Sequence, residues 1–357
     1  MVNRVDPHDE RIPAAVLGAT GSVGQRFVQL LARHPWFRVS ELVASDRSTG
    51  KRYGDATDWR LDASMPEEAR ELFVRDYDAD LASPVVFSAL PGEVAGEIEQ
   101  RMAREGRALF SNTSTHRMDP DVPLLIPEVN PDHVVALDAQ RRNRGWSGLL
   151  VTNPNCSAIH LVLALKPLHD AFGIDALSVT TMQAVSGAGY PGVSSLDMID
   201  NVVPFIPGEE EKMTEETMKL LGGYDGGFVP AAITMTAHCN RVPVRDGHTE
   251  CVSIRLKGDP SLAAVADAFA SFRGRPQELD LPSAPKQPVV VREERNRPQP
   301  VLDRDTEHGM ASVVGRIRPC PLLGVKFVVL GHNTIRGAAG ASILNAELFK
   351  LEGLLPV

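Results

Sequence analysis

The sequence predicts an α/β protein, with an N-terminal parallel sheet followed by a second, α+β domain. Three observations carry this. A short apolar strand, a glycine loop, a helix and a second strand follow one another between Ala14 and Ala44. The pattern changes near residue 150, after which the apolar runs become longer. The chain has 357 residues, more than one compact core usually holds.

Ala14 to Gly18 reads as the first strand. Val23, Phe27, Leu30 and Leu31 recur at helical spacing. Val39 to Ala44 reads as the second strand, which completes a βαβ unit and implies a parallel sheet. A strand from Pro84 to Leu90 and a helix from Glu93 to Glu105 continue it. Leu149 to Thr152 reads as a strand that leads into an apolar helix from Ser157 to about Phe172. Leu177 to Ala184 and Thr249 to Leu256 suit an open mixed sheet. The Pro-rich stretch from 282 to 305 holds Val289-Val290-Val291, an extended strand rather than a linker. An Ala-rich helix from Gly337 to Leu351 closes the chain.

Acidic residues (46) outnumber basic ones (37), for a formal charge of -9, which argues against a general nucleic-acid binder. No apolar run approaches the ~20 residues that span a bilayer. The polar start, Met1 to Pro13, has no apolar core and reads as a disordered leader rather than a secretion signal. Four cysteines without a C-x-x-C pair fit a reducing cytoplasm, not a disulfide framework.

Gly18, Gly21 and Gly24 lie between a strand and a helix, where a helix N-terminus receives a phosphate. Their spacing departs from G-x-G-x-x-G, and an ordinary turn fits it too. At the end of the second strand Asp46 would favour NAD, while Arg47, Ser48 and Lys51 favour NADP; the balance leans to NADP.

Cys156 follows Asn153-Pro154-Asn155 at a predicted helix start, where amides and dipole favour a thiolate. A thiolate beside a nicotinamide suggests hydride transfer at a carbon held on sulfur. A small buried cysteine fits the same position. Asp246-Gly247 signals a two-residue hairpin. That hairpin would pair Arg245 with His248 and Arg241 with Val252, and would turn Arg241, Arg245, His248 and Glu250 to one face. Cys239 and Cys251 are expected on the face away from His248, so no metal site is expected.

The chain resembles the aspartate-β-semialdehyde dehydrogenase family, in the branch found in archaea and fungi. The resemblance runs from about Ala14 to Leu351. It rests on Gly18-Ala-Thr-Gly-Ser-Val-Gly24, on the stretch Ser111 to Asn130, and on Thr152-Asn-Pro-Asn-Cys-Ser157. Further matching stretches are Met182 to Gly192, Glu209 to Met213, Asn240 to Glu250 and Gly331 to Gly337.

The resemblance implies Cys156 as nucleophile, His248 as acid/base and Gln183 as the residue that orients the acyl intermediate. It implies Arg241 for the substrate α-carboxylate, Glu209 for its amino group, and Arg117 with Lys212 for phosphate. It implies cofactor contacts from Thr20, Gly21, Ser22, Val23, Arg47, Ser48, Leu90, Ser186, Gly187 and Asn333. The implied domains are an NADP-binding Rossmann domain over 14–155 and a catalytic and dimerisation domain over 156–335. Residues 336–357 would return as a helix to the first domain. The expected reaction is NADP-dependent interconversion of L-4-aspartyl phosphate and L-aspartate 4-semialdehyde by a homodimer or homotetramer, without metal, nucleic acid or membrane. The rivals are a malonyl-CoA reductase-like enzyme and a catalytically silent nucleotide-binding regulator.

Overall fold

The computed structural model describes residues 10–356. They form two units. The first comprises residues up to Pro123, Ala136–Asn153 and Ser342 onward; the second comprises Leu124–Val135 and Pro154–Ala341. Most of the expected leader lies outside the described residues. Ile12 and Pro13 do not belong to a leader, because they pair with Phe37 and Arg38.

In the first unit the strands are β1 (Ile12–Leu17), β2 (Phe37–Val43), β3 (Val74–Arg75), β4 (Val85–Ser88), β5 (Ala108–Ser111) and β6 (Leu149–Thr152). They run parallel in the order β3-β2-β1-β4-β5-β6. β1, β4, β5 and β6 are almost wholly buried, as a parallel sheet covered on both faces requires. The helices Ser22–Leu31 and Gly92–Arg104 supply the crossovers. The C-terminal helix Gly340–Leu351 lies mostly in this unit. Its Phe349 meets Phe110 edge-on at 5.3 Å, and its Glu347 lies 2.7 Å from His34 Nε2.

In the second unit the strands are β7 (Ile174–Gln183), β8 (Gly223–Tyr224), β9 (Phe228–Val229), β10 (Thr234–Arg241), β11 (His248–Leu256), β12 (Val289–Arg292), β13 (Ser312–Cys320) and β14 (Gly324–Gly331). Six of them form a mixed sheet in the order β10-β7-β11-β14-β13-β12, and β8 and β9 form a separate ribbon. The helix Cys156–Phe172 is apolar nearly all round and belongs to this unit's core, with Ile159, Val162 and Leu163 fully buried. Val289 to Arg292 do form an edge strand, parallel to β13.

The expected hairpin does not form. β10 pairs parallel with β7, and β11 pairs antiparallel with β7, so β7 stands between them. The chain leaves β10 after Arg241, and Val244 and Arg245 then accept hydrogen bonds from the amides of Val185 and Ser186. Arg245 is therefore exposed instead of facing His248. Cys239 also differs from expectation. It sits two residues before Arg241 on one strand, hence on the same buried face.

Candidate active site

Two rows of side chains cross the buried face of the second sheet. Arg241 on β10 stands beside Gln183 on β7, and His248 on β11 pairs with Gly331 on β14. One step deeper, Cys239, Thr181, Glu250 and Val329 lie in register across the same four strands. Arg241, Gln183, His248 and Glu250 are all buried. The intervening strand preserves the face-sharing of Arg241, His248 and Glu250, although the predicted pairing is wrong.

Cys156 opens the helix Cys156–Phe172. Asn155 is its N-cap: Oδ1 accepts from the amides of Ser157 (2.8 Å) and Ala158 (3.2 Å). This satisfies two of the orphan donors of the first turn and fixes the direction in which the thiol enters the site. Cys156 Sγ lies 3.1 Å from His248 Nε2. The backbone amide of Ala184 donates to His248 Nδ1 at 3.0 Å. With Nδ1 accepting, the neutral ring carries its hydrogen on Nε2, toward the sulfur. Burial, then the nearby Arg241 charge, holds His248 well below the usual imidazole range, so the ring is neutral at physiological pH.

Glu209 and Glu216 come from the helix Glu209–Leu221 and both hold Asn155. Glu216 accepts from its backbone amide at 2.6 Å, and Glu209 Oε1 from its Nδ2 at 2.9 Å. Gln183 Nε2 donates to the same Glu209 oxygen at 2.9 Å. Arg241 Nη1 donates to the Ala184 carbonyl at 2.8 Å. Lys212 lies half-buried in the first turn of the helix that begins at Glu209. Arg117 belongs to the first unit, where it is buried and Nη2 donates to the Asn112 carbonyl at 2.7 Å.

Ser186, Gly187 and Asn333 lie in the second unit with the sulfur–imidazole pair. Asn333 Nδ2 donates to Ser186 Oγ at 2.8 Å, and its Oδ1 accepts from the Gly247 amide at 2.8 Å. A Cβ on Gly187 would stand 2.9 Å from Arg241 Nη1 and 3.1 Å from His248 Cε1, so a side chain there would press on both groups. Thr20, Gly21, Ser22, Val23, Arg47, Ser48 and Leu90 lie in the first unit. Gly18 has φ +73°, and a Cβ on Gly24 would meet the Gly18 carbonyl oxygen at 2.1 Å. The N-cap, Gly21, has no capping side chain, so the first amides of the helix Ser22–Leu31 are left for an anion. Asp46 and Arg47 are both exposed, and Ser48 is buried.

Sequence reasoning did not single out Glu216 or the Ala184 amide. Asn155 was legible as a cap residue before an apolar helix, but nothing in spacing reveals its two carboxylate partners. Among the described residues no group of three or more potential ligands is placed to hold a metal ion. No helix among them is long and apolar enough to cross a membrane.

Two family models cover most of the chain. The semialdehyde dehydrogenase NAD binding domain matches residues 13–137, and the semialdehyde dehydrogenase dimerisation domain matches residues 165–336. The aspartate-semialdehyde dehydrogenase of Methanothermobacter thermautotrophicus is 54% identical over 342 residues, 94% of this chain and 98% of its own length. That of Candida albicans is 46% identical over 360 residues, covering 96% and 99%. The crystal structure of the Candida albicans aspartate semialdehyde dehydrogenase with NADP superposes with a TM-score of 0.89 at 44% identity, over 96% of this chain and 99% of that one. The Vibrio cholerae aspartate semialdehyde dehydrogenase II gives 0.76 at 27%, over 96% and 99%.

Proposed function

The chain belongs to the aspartate-semialdehyde dehydrogenase family, and from that premise we propose that it is an NADP-dependent, phosphorylating dehydrogenase interconverting L-4-aspartyl phosphate and L-aspartate 4-semialdehyde. The observation that carries the mechanism is the 3.1 Å contact between Cys156 Sγ, at a helix N-terminus, and His248 Nε2.

In the biosynthetic direction Cys156 Sγ attacks the acyl carbon of L-4-aspartyl phosphate as the thiolate, to which His248 Nε2–H donates. The C–O bond to phosphate breaks, inorganic phosphate leaves with the bonding pair, and the acyl group remains as a thioester on Cys156. Arg117 and Lys212 are the cations assigned to that phosphate. NADPH, when bound, supplies the hydride that reduces the thioester carbon. His248 Nε2–H then donates a hydrogen bond to the oxyanion that develops on the acyl oxygen; the C=O bond re-forms from that oxyanion as the C–S bond breaks, the aldehyde leaves and Cys156 Sγ departs as the thiolate. Gln183 orients the acyl group. Arg241 takes the α-carboxylate with its planar fork, and Glu209 takes the α-ammonium.

The glycine loop of the first unit fits a dinucleotide's phosphates, and Arg47 with Ser48 fits a 2′-phosphate; the Candida albicans structure solved with NADP supports this choice. Ser186, Gly187 and Asn333 are assigned to the cofactor as well. The product would feed lysine, methionine, threonine and isoleucine synthesis in the cytoplasm. The match to a dimerisation domain supports a homo-oligomer, which we assign as a dimer or tetramer.

The test is NADPH formation from aspartate semialdehyde, NADP and inorganic phosphate. Wild type should turn over only with phosphate present, and Cys156→Ala should be inactive while still binding NADP. Turnover in the Ala variant, or turnover of malonyl-CoA with NADPH in place of this reaction, would overturn the reading.

A further inference from the structure

The glycine loop presents a problem that its glycines do not solve. A phosphate needs amide hydrogens around it, yet each loop residue also carries a carbonyl whose negative end repels an anion. In the first unit every carbonyl from Gly18 to Gly21 has a donor. The Gly18 oxygen accepts from the Gly21 amide at 3.0 Å, and the Gly21 oxygen from the Gln25 amide at 2.8 Å. The other two are taken by side chains. Tyr53 Oη donates to the Ala19 oxygen at 2.8 Å, and Gln25 Nε2 donates to the Thr20 oxygen at 3.0 Å.

Both side chains are buried and otherwise well defined. Tyr53 is fully buried at the start of the short helix Tyr53–Ala56. Gln25 lies on the buried side of the helix Ser22–Leu31. Its Nε2 also donates to the Asp58 oxygen at 3.1 Å, and its Oε1 accepts from the Arg60 amide at 2.9 Å. Two carbonyls on one end and an amide on the other leave its amide a single satisfying orientation.

We propose that Gln25 and Tyr53 are positioning residues for the cofactor: they hold the Ala19 and Thr20 carbonyls away from the bound pyrophosphate, so that the loop offers it amides alone. The proposal rests on the NADP reading above. Neither residue is among those assigned to the nicotinamide or the substrate. Their effect should therefore appear in affinity for the pyrophosphate, not in the chemical step and not in recognition of the 2′-phosphate by Arg47 and Ser48. Tyr53→Phe deletes one hydroxyl and keeps the ring. Gln25→Glu keeps the shape but turns a carboxylate oxygen toward the Thr20 and Asp58 carbonyls in place of the donor they share.

The experiment measures dissociation constants of the full chain for NADPH, by nicotinamide fluorescence, and for adenosine 2′-monophosphate, which has no pyrophosphate. In each variant NADPH should bind roughly 5- to 15-fold more weakly, as loss of one buried hydrogen bond implies. Adenosine 2′-monophosphate should stay within about twofold, and kcat at saturating NADPH should do the same. Retained adenosine 2′-monophosphate binding also shows that the variant is folded. Equal weakening of both ligands would mean a general structural role, and unchanged NADPH affinity would mean no role; either overturns the proposal while the cofactor reading stands. A wild type that binds neither NADPH nor NADH would overturn the cofactor reading, and the proposal with it.

Discussion

Arg241 shows how much one side chain is asked to do. It is buried, it donates to the Ala184 carbonyl, and it lies in one row with Gln183. Desolvation by burial pulls it below the usual guanidinium range, so in the role proposed for it an incoming carboxylate gains a partner that already lacks water. Arg241→Lys keeps the charge and loses the fork. The expected cost is about 1.5–3 kcal/mol in kcat/KM for aspartate semialdehyde, with NADP affinity unchanged. Near-wild-type kcat/KM in that variant would remove Arg241 from carboxylate recognition. Arg47 is exposed beside the equally exposed Asp46. Arg47→Ala should lower the ratio of kcat/KM for NADP to that for NAD, chiefly through KM, while Asp46→Ala should change it little. The opposite pattern, with only the Asp46 change moving the ratio, would reverse their roles. Cys156 and His248 were legible as chemistry-bearing residues because a cap sequence and a turn signal flank them. Glu216 was not, since its tie to Asn155 joins residues far apart in the chain.

At the scale of elements, strand parity proved more robust than strand pairing. Asp246-Gly247 correctly marks a reversal near His248, but a turn signal is local and cannot report that β7 separates the two strands. Arg241, His248 and Glu250 still share a face, because β7 is in register with both neighbours. Arg245 does not, because the chain has left the sheet by then. β11 carries a further consequence. Glu250 is fully buried, and neither carboxyl oxygen has a hydrogen-bond partner among the described residues. Burial first, then the Glu209 charge, pushes its carboxyl well above the usual range. A carboxyl raised in the folded state contributes most below its unfolded value, about 4.3, and that contribution is lost as pH rises through the folded value. An amide in its place does not titrate, so Glu250→Gln should gain thermal stability relative to wild type as pH rises from about 5 to about 8. A difference in melting temperature independent of pH would show that Glu250 is ionised in the fold.

For the whole molecule, the α/β class and the βαβ start were readable because the parallel strands are short continuous apolar runs between glycine-marked turns. The order of six strands in each sheet was not, since it depends on long-range pairing that no local pattern encodes. The proposed chemistry turns on the covalent step at Cys156. Wild type given aspartate semialdehyde and NADP without phosphate should stop after one turnover and hold an aspartyl thioester. Intact-protein and peptide mass spectrometry should then find one aspartyl adduct, on Cys156, which inorganic phosphate discharges. Multiple turnovers without phosphate, no adduct, or an adduct on Cys239, Cys251 or Cys320 would contradict it.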